Sequence, residues 1–176
     1  PADFNIADVV PGDYATDFEE NVDIQLALQL SWRHFEGLAA ALWLKQGYDM
    51  VYCTPSSNDQ GVDVVAISGT DGVLIQTKTS GNEGAKLGWE IVKELVGGEA
   101  YYKRRHSNVN FKKVGLTNQY FNSQANEHAS LNSVTLVDQT GLDALLKRYR
   151  VTLMDIEKIL YTDWSTVESD SNLSND

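Results

Sequence analysis

Three polar side chains in the middle of the sequence have the types and the spacing to act together on a phosphate. Asp63 lies inside an apolar run at residues 61–65, and Gln76 and Lys78 are spaced two apart in the next apolar run. In a β-strand, residues i and i+2 point to the same face, so Gln76 and Lys78 would share one side of a sheet. Pairing of the two strands would bring Asp63 beside them.

These three groups suggest metal-assisted chemistry at phosphorus. The Asp63 carboxylate and the Gln76 amide oxygen are hard ligands of the kind that Mg²⁺ accepts, while the ion keeps several waters and takes further ligands from a substrate phosphate. Lys78 beside such an ion could orient or deprotonate a water for in-line attack, and the ion would stabilise the charge that develops on the phosphate oxygens. On spacing alone another interpretation stays open, because polar residues on the solvated face of an antiparallel strand need no function.

A hairpin and a preceding helix must position these side chains. Residues 62–68 and 73–79 are predicted to form two strands, separated by residues 69–72, whose Asp-Gly ending is typical of a hairpin turn; the strands should therefore pair antiparallel. Upstream, an apolar repeat over residues 23–45 predicts one long amphipathic helix with Glu36 near its middle.

The rest of the chain alternates between strand and helix patterns. We predict a strand at 50–53, a turn-rich loop at 56–61, a helix at 86–104, a strand at 111–117, a helix at 123–130, a strand at 134–137, and helices at 141–149 and 152–161. A hairpin followed by βαβ-like units predicts an α/β domain in which a mixed central β-sheet is flanked by helices.

Composition indicates one compact domain. The chain has 176 residues, of which 42% are hydrophobic and 22% are charged. Its single cysteine, Cys53, rules out an internal disulfide, and no Cys/His group has the spacing of a structural zinc site, so we expect a cytoplasmic protein. Because no apolar run approaches the ~20 residues of a membrane helix, we expect neither a membrane span nor a secretory signal.

Net charge at first argues against a nucleic-acid partner, because it is −11 and DNA binding draws on lysines and arginines. The acidic residues, however, are concentrated in the flanks. Residues 24–154 hold 12 acidic and 13 basic side chains, which is close to neutral. We therefore divide the chain into an acidic N-terminal segment at 1–22, a central domain at 23–150, and a C-terminal helix with an acidic mobile tail at 151–176.

A series of short motifs runs in order through the central domain. They are Phe35-Glu36-Gly37-Leu38 with Gly47-Tyr48, Asp59-Gln60-Gly61-Val62-Asp63, Ile75-Gln76-Thr77-Lys78, Val92-Lys93-Glu94-Leu95 with Gly97-Gly98, Gly115-Leu116-Thr117-Asn118, Phe121 with Ala125, and Leu136-Val137-Asp138 with Leu142 and Leu145-Leu146. In this order and spacing, over about residues 24–149, the chain resembles the catalytic domain of Mrr-type restriction endonucleases, a branch of the PD-(D/E)xK nucleases.

The resemblance implies a restriction-endonuclease-like core at 23–150 and a DNA endonuclease that depends on Mg²⁺, with Mn²⁺ as a substitute, and acts in defence against foreign or modified DNA. It implies that Asp63 binds metal, that Lys78 is the catalytic lysine, and that Glu36 stands at a helix glutamate that assists the metal. Gln76 occupies a metal-binding position where many relatives have glutamate. An amide removes one negative charge, so metal affinity should be lower than in a two-carboxylate site.

The sequence has one basic concentration. It comprises Lys103, Arg104, Arg105, Lys112 and Lys113, which we name the basic cluster. It could bind DNA phosphates at the edge of the cleft, or it could be a solvated helix end whose charges complement the helix dipole.

No separate recognition module is visible in the sequence. We therefore expect targeting to come from a fused domain, a partner subunit or a second copy of the chain in a homodimer. Two other functions stay open: a junction-resolving or DNA-repair nuclease with the same core, and a non-catalytic relative that binds a partner or mimics DNA through its acidic residues.

Overall fold

A five-stranded mixed sheet with helices on both faces forms the centre of the computed structural model, which describes residues 20–55 and 60–162. The elements are α1 (Ile24–Ala27), α2 (Trp32–Lys45), β1 (Met50–Cys53), β2 (Val64–Ser68), β3 (Asp71–Lys78), β4 (Lys86–Leu87), α3 (Glu90–Arg105), β5 (Asn110–Thr117), β6 (Tyr120–Phe121), α4 (Ser123–Leu131), β7 (Val134–Val137), α5 (Gln139–Arg148) and α6 (Leu153–Leu160). The strand order is β1-β2-β3-β5-β7; β1, β2 and β3 pair antiparallel, whereas β3, β5 and β7 pair parallel. The mixed sheet that the sequence predicts is thus confirmed.

Each face of the sheet packs against its own apolar core. Val64 and Ile75 point toward α2, and Val65 and Leu74 point toward α3, as the period-two alternation of strands requires. Gln76, two residues beyond Leu74, therefore belongs to the α3 side of β3.

The single helix predicted over residues 23–45 is wrong. Two helices occupy this stretch, because Ser31 begins a new one: its hydroxyl accepts a hydrogen bond from the backbone N–H of His34 at 3.2 Å. A serine in a helix N-cap satisfies an otherwise unpaired N–H and so favours a break at that point. Glu36 now lies in the second turn of α2 instead of the middle of a long helix.

The β2–β3 hairpin pairs antiparallel as predicted, but its turn is shorter. Ser68 pairs with Asp71, so the turn consists of Gly69 and Thr70, with Gly69 at φ +60°. A positive φ at the first turn position is what two-residue hairpins require. Gly72 belongs to β3, where a Cβ would lie 2.6 Å from the Phe111 ring. Close packing, and not turn geometry, explains this glycine.

The second long helix begins later than predicted. Residues 86–87 form β4 instead, which pairs in parallel with Tyr120–Phe121, and α3 starts at Glu90. The other predicted strands and helices are confirmed with ends that differ by at most two residues. In the predicted loop at 56–61, Asp59 and its neighbours at 56–58 lie outside the described residues, as do the acidic stretch at 1–19 and the tail at 163–176.

The C-terminal helix α6 completes the core on the α2 side. Thr152 and Asp155 form a capping box at its start, and Ile156 is 0% exposed. A Cβ at Gly37 would lie 2.8 Å from Ile156 Cγ2, so the two helices meet closely beside Glu36. None of the helices within residues 20–55 and 60–162 is both long and apolar enough to cross a membrane.

Replacing Ile156 with alanine should lower the free energy of unfolding by about 2–5 kcal/mol, because the change removes buried apolar atoms and leaves a cavity between α2 and α6. Met154→Ala is the matched control on the same helix, since Met154 is 38% exposed, and it should cost about 0.5 kcal/mol or less. Urea unfolding measures both. Equal losses in the two variants would show that α6 is not part of the core.

Candidate active site

Asp63 is held against β3 just before β2 begins. Its backbone N–H donates to the carbonyl of Ile75 at 2.9 Å, although Val64 is the residue that pairs with Ile75. Asp63 and Val64 therefore both lie opposite Ile75. This is the geometry of a β-bulge, and it changes the direction of the Asp63 side chain. The Asp63 Oδ2 atom accepts hydrogen bonds from both the backbone N–H and the hydroxyl of Thr77, each at 2.8 Å. The carboxylate thus lies against the residue between Gln76 and Lys78.

Gln76 and Lys78 share one side of β3, as their spacing predicts, and both contact Glu94 of α3. Gln76 Nε2 donates to Glu94 Oε2 at 3.0 Å, and Lys78 Nζ donates to Glu94 Oε1 at 2.9 Å. Gln76 is 6% exposed, and its Oε1 atom is buried with no hydrogen-bond partner within residues 20–55 and 60–162, whereas the Lys78 side chain is 38% exposed. A buried carbonyl oxygen with no partner costs free energy unless a ligand satisfies it.

Glu36 approaches from α2 and is 7% exposed. Arg33, one turn earlier, donates to Glu36 Oε2 at 2.7 Å. Burial raises the pKa of the nearby Cys53 thiol to about 12; Arg33 opposes this rise, and the carboxylates of Glu36 and Asp63 add to it. Arg33 also donates to the Thr54 carbonyl at 3.5 Å, and the Thr54 N–H donates to the Asp63 carbonyl at 2.8 Å, so the Arg33–Glu36 pair and Asp63 lie near the same end of β1.

The structure brings together three of the four residues that the sequence selects for chemistry. Asp63, Gln76 and Lys78 lie where β2 begins and β3 ends, and Glu36 lies on α2, which packs on the other face of the sheet from α3. Their roles stay predictions. Three residues that the sequence did not select also contact the site, namely Thr77, Glu94 and Arg33. Thr77 and Glu94 lie within quoted motifs, but no local spacing indicates which side chains they contact.

The basic cluster lies toward the other end of the sheet. Lys112 and Lys113 pair with Val73 and Leu74, so Lys113 is about 13 Å along the strand direction from the level of Lys78. Glu99 accepts hydrogen bonds from Lys103 at 2.8 Å and from Lys113 at 2.7 Å. Phosphate binding by this cluster stays a prediction, and its geometry fits contacts distant from the reacting phosphate.

Acidification should weaken the link between α3 and β5 at Glu99. Burial alone would raise the pKa of this carboxyl, but hydrogen bonds from Lys103 and Lys113 outweigh it and hold the pKa below its usual value. A lowered folded-state pKa stabilises the fold above the unfolded value of about 4.3, and this contribution is lost as the pH falls through the folded value.

We therefore expect wild type to be more stable than Glu99→Gln at pH 7 and the difference to shrink as the pH falls below about 4.3, the unfolded value. Urea unfolding across this range checks it, with Glu127→Gln on the exposed face of α4 as control. A difference that does not change with pH would contradict the expectation.

The site offers a mixed set of oxygen ligands. Within residues 20–55 and 60–162, no three His, Cys, Asp or Glu side chains form a group that could hold a metal ion. The predicted ligands Asp63 and Gln76 would instead offer one carboxylate and one amide oxygen. Such a set fits a hard divalent cation that completes its shell with water and phosphate oxygens.

Comparison with known protein families shows to which family the chain belongs. The family model described as Mrr_cat, restriction endonuclease, matches residues 27–146, which is more than half of the chain. The chain belongs to this restriction endonuclease family. A search of the curated proteins finds no match.

Solved structures resemble this restriction endonuclease chain at low sequence identity. AF1548, a protein of unknown function, shares the fold with 17% identity and a TM-score of 0.55, over 67% of this chain and 66% of its own. The MspJI restriction endonuclease, solved with a 27-mer oligonucleotide, has 21% identity and a TM-score of 0.47, over 73% of this chain and 31% of its own. AspBHI, a DNA modification-dependent restriction endonuclease, has 16% identity and a TM-score of 0.48, over 89% of this chain and 45% of its own. The chain thus spans less than half of the two named restriction enzymes.

Proposed function

We propose that this chain is the catalytic part of a restriction endonuclease that hydrolyses DNA phosphodiester bonds with Mg²⁺ or Mn²⁺, in defence against foreign or modified DNA. Restriction endonuclease domains of this kind generally use divalent metal ions. The observation that carries the proposal is the buried Gln76 Oε1, which has no hydrogen-bond partner among the described residues, on the strand end that also holds the Asp63 carboxylate and carries Lys78.

Each of the selected side chains has a role in this proposal. Asp63 and Gln76 hold the cation, with Thr77 fixing the orientation of the Asp63 carboxylate, and Glu36 assists from α2. When bound, the cation neutralises charge that develops on the phosphate oxygens. Lys78, the most exposed of the four, orients the attacking water or takes its proton.

Binding and targeting of DNA involve other parts of the molecule. The basic cluster supplies phosphate contacts away from the scissile bond, which set the position of the duplex without reading its sequence. Recognition of a sequence or a modified base comes from a fused domain, a partner subunit or a second copy of the chain.

A cleavage assay with purified protein tests the proposed function. The protein should nick or cut plasmid DNA in Mg²⁺ or Mn²⁺ but not in EDTA. Asp63→Asn should abolish cleavage, whereas Asp71→Asn, at the exposed turn end of the same hairpin, should retain it. Equal cleavage by wild type and Asp63→Asn would contradict the proposal.

The choice of substrate separates the remaining alternatives. Methylated, unmethylated, branched and nicked DNA should be compared at equal concentration. Preference for methylated or otherwise modified duplexes supports a restriction role, and preference for branched or nicked DNA supports a junction-resolving or repair nuclease. Metal-independent binding of a protein partner, with no cleavage of any substrate, would favour a non-catalytic relative.

A further inference from the structure

One carboxylate of α3 contacts both the amide and the ammonium of β3. Glu94 Oε2 accepts from Gln76 Nε2 at 3.0 Å, and Glu94 Oε1 accepts from Lys78 Nζ at 2.9 Å. Both oxygens of the carboxylate are therefore engaged, each by a different residue of the candidate site. Glu94 is not part of the buried face of α3, which is made by Ile91, Val92, Leu95, Gly98 and Tyr102.

The contact determines which end of the Gln76 amide faces the candidate cation site. An ionised carboxylate only accepts hydrogen bonds, whereas an amide has a donating and an accepting end. If the amide were turned around, Gln76 Oε1 would face Glu94 Oε2 at about the same 3.0 Å, and two acceptors would repel. The NH₂ group must therefore face Glu94. The amide oxygen then points away from Glu94, and it is buried with no partner in the part of the chain that the structure describes.

We propose that Glu94 is a positioning residue that holds the Gln76 amide with its oxygen directed to the cation. This inference rests on the proposed function, because it assigns Gln76 Oε1 as a ligand. It also accounts for an amide at position 76. A carboxylate there would lie about 3 Å from that of Glu94, and two like charges so close oppose each other.

Exchanging the side chains at positions 76 and 94 tests whether Glu94 orients the Gln76 amide. In Glu94→Gln, Lys78 still requires an oxygen at position 94, so the new NH₂ group faces Gln76 and turns the Gln76 NH₂ group toward the cation. Gln76→Glu places a carboxylate beside that of Glu94 and adds a negative charge that itself attracts a cation, so it serves here as half of the exchange. In the double variant Glu94→Gln/Gln76→Glu, the amide at 94 donates to the carboxylate at 76, whose second oxygen remains for the cation. The charge of the pair is then the same as in wild type.

Binding of Mn²⁺ alone, measured by calorimetry without DNA, should follow this order. Glu94→Gln should lose about 10- to 100-fold in affinity, as is typical when a group that orients a metal ligand is removed, and the double variant should recover to within about threefold of wild type. Single-turnover cleavage should fall and recover in parallel. Glu90→Gln removes an exposed carboxylate of the same helix and should match wild type in both measurements. Wild-type affinity in Glu94→Gln, or no recovery in the double variant, would overturn the proposal.

A measurement without metal separates this inference from the proposed function. The side-chain NH₂ signals of Gln76, assigned by their loss in Gln76→Glu, should shift in the ¹H–¹⁵N spectrum of Glu94→Gln but not in that of Glu90→Gln. An unchanged Gln76 signal in Glu94→Gln would refute the positioning role whatever the activity. If the signal shifts but wild type neither binds Mn²⁺ nor cleaves DNA, the proposed function fails, and the assignment of Gln76 as a metal ligand fails with it.

Discussion

Lys78→Met should lower the single-turnover rate of DNA cleavage by about 10²- to 10⁴-fold, the range expected when a group that handles a proton or stabilises charge at the reacting atoms is lost. Lys78 ends β3 beside the residue that holds Asp63, and its partly exposed ammonium can reach a phosphate in solvent. Methionine keeps most of the apolar stem, so packing against the strand is largely preserved. Rapid-mixing assays at saturating Mg²⁺ measure the rate directly.

The same variant should leave the fold and DNA affinity nearly unchanged. The ion pair with Glu94 is partly exposed on both sides, and pairs of this kind contribute little to stability. Lys86→Met, in the exposed strand β4, controls for the loss of one positive charge and should cleave like wild type. A Lys78→Met rate within about threefold of the Lys86→Met rate would remove Lys78 from the chemistry.

Gly98→Ala should destabilise the protein by about 1–3 kcal/mol and impair cleavage as well, because there is no room for a methyl group. A Cβ at Gly98 would lie 2.2 Å from the backbone oxygen of Gln60, so either α3 or the loop at residues 60–62 must move. That loop leads directly into Asp63. Displacement of the loop would therefore shift a predicted metal ligand even in molecules that remain folded.

Gly97→Ala provides the matched control for this glycine. A Cβ at Gly97 meets nothing within 4 Å, and alanine is favoured over glycine in a helix by about 0.5–1 kcal/mol, so this variant should be more stable than wild type. Thermal and urea unfolding together with the cleavage assay compare the two neighbours. If Gly98→Ala were as stable as Gly97→Ala, the tight contact between α3 and the loop would not exist in solution.

Local patterns in the sequence predicted most of the sheet and its helices. Alternation of apolar residues in β2 and β3 requires only the period of a strand, so the hairpin, its antiparallel pairing and the shared face of Gln76 and Lys78 followed directly. The break before α2 was missed because the apolar repeat continues through it. The hydroxyl of Ser31, which forms the new N-cap, is the signal that could have shown it.

Contacts between distant segments were beyond the sequence alone. The bulge at Asp63 depends on how its backbone meets Ile75, and Glu94 meets Lys78 across 16 residues through the docking of α3 on the sheet. Closeness in sequence also did not predict where the basic cluster lies relative to the candidate site. Its members are neighbours at the turn between α3 and β5, but that turn lies away from the end of β3 that carries Lys78.

Helix α3 touches the site region at two points one turn apart, through the Glu94 carboxylate and through the backbone at Gly98. Rotation of the helix by a single residue, about 100°, would break both contacts at once. In a saturation mutagenesis screen for cleavage, α3 should therefore show intolerant positions with helical periodicity. These should include Glu94 and Gly98 as well as the apolar residues between the helix and the sheet, whereas the opposite face, at Val96, Gly97 and Ala100, should accept most substitutions. Substitutions at Glu94 and Gly98 would then impair cleavage as strongly as substitutions at Leu95, which lies between them.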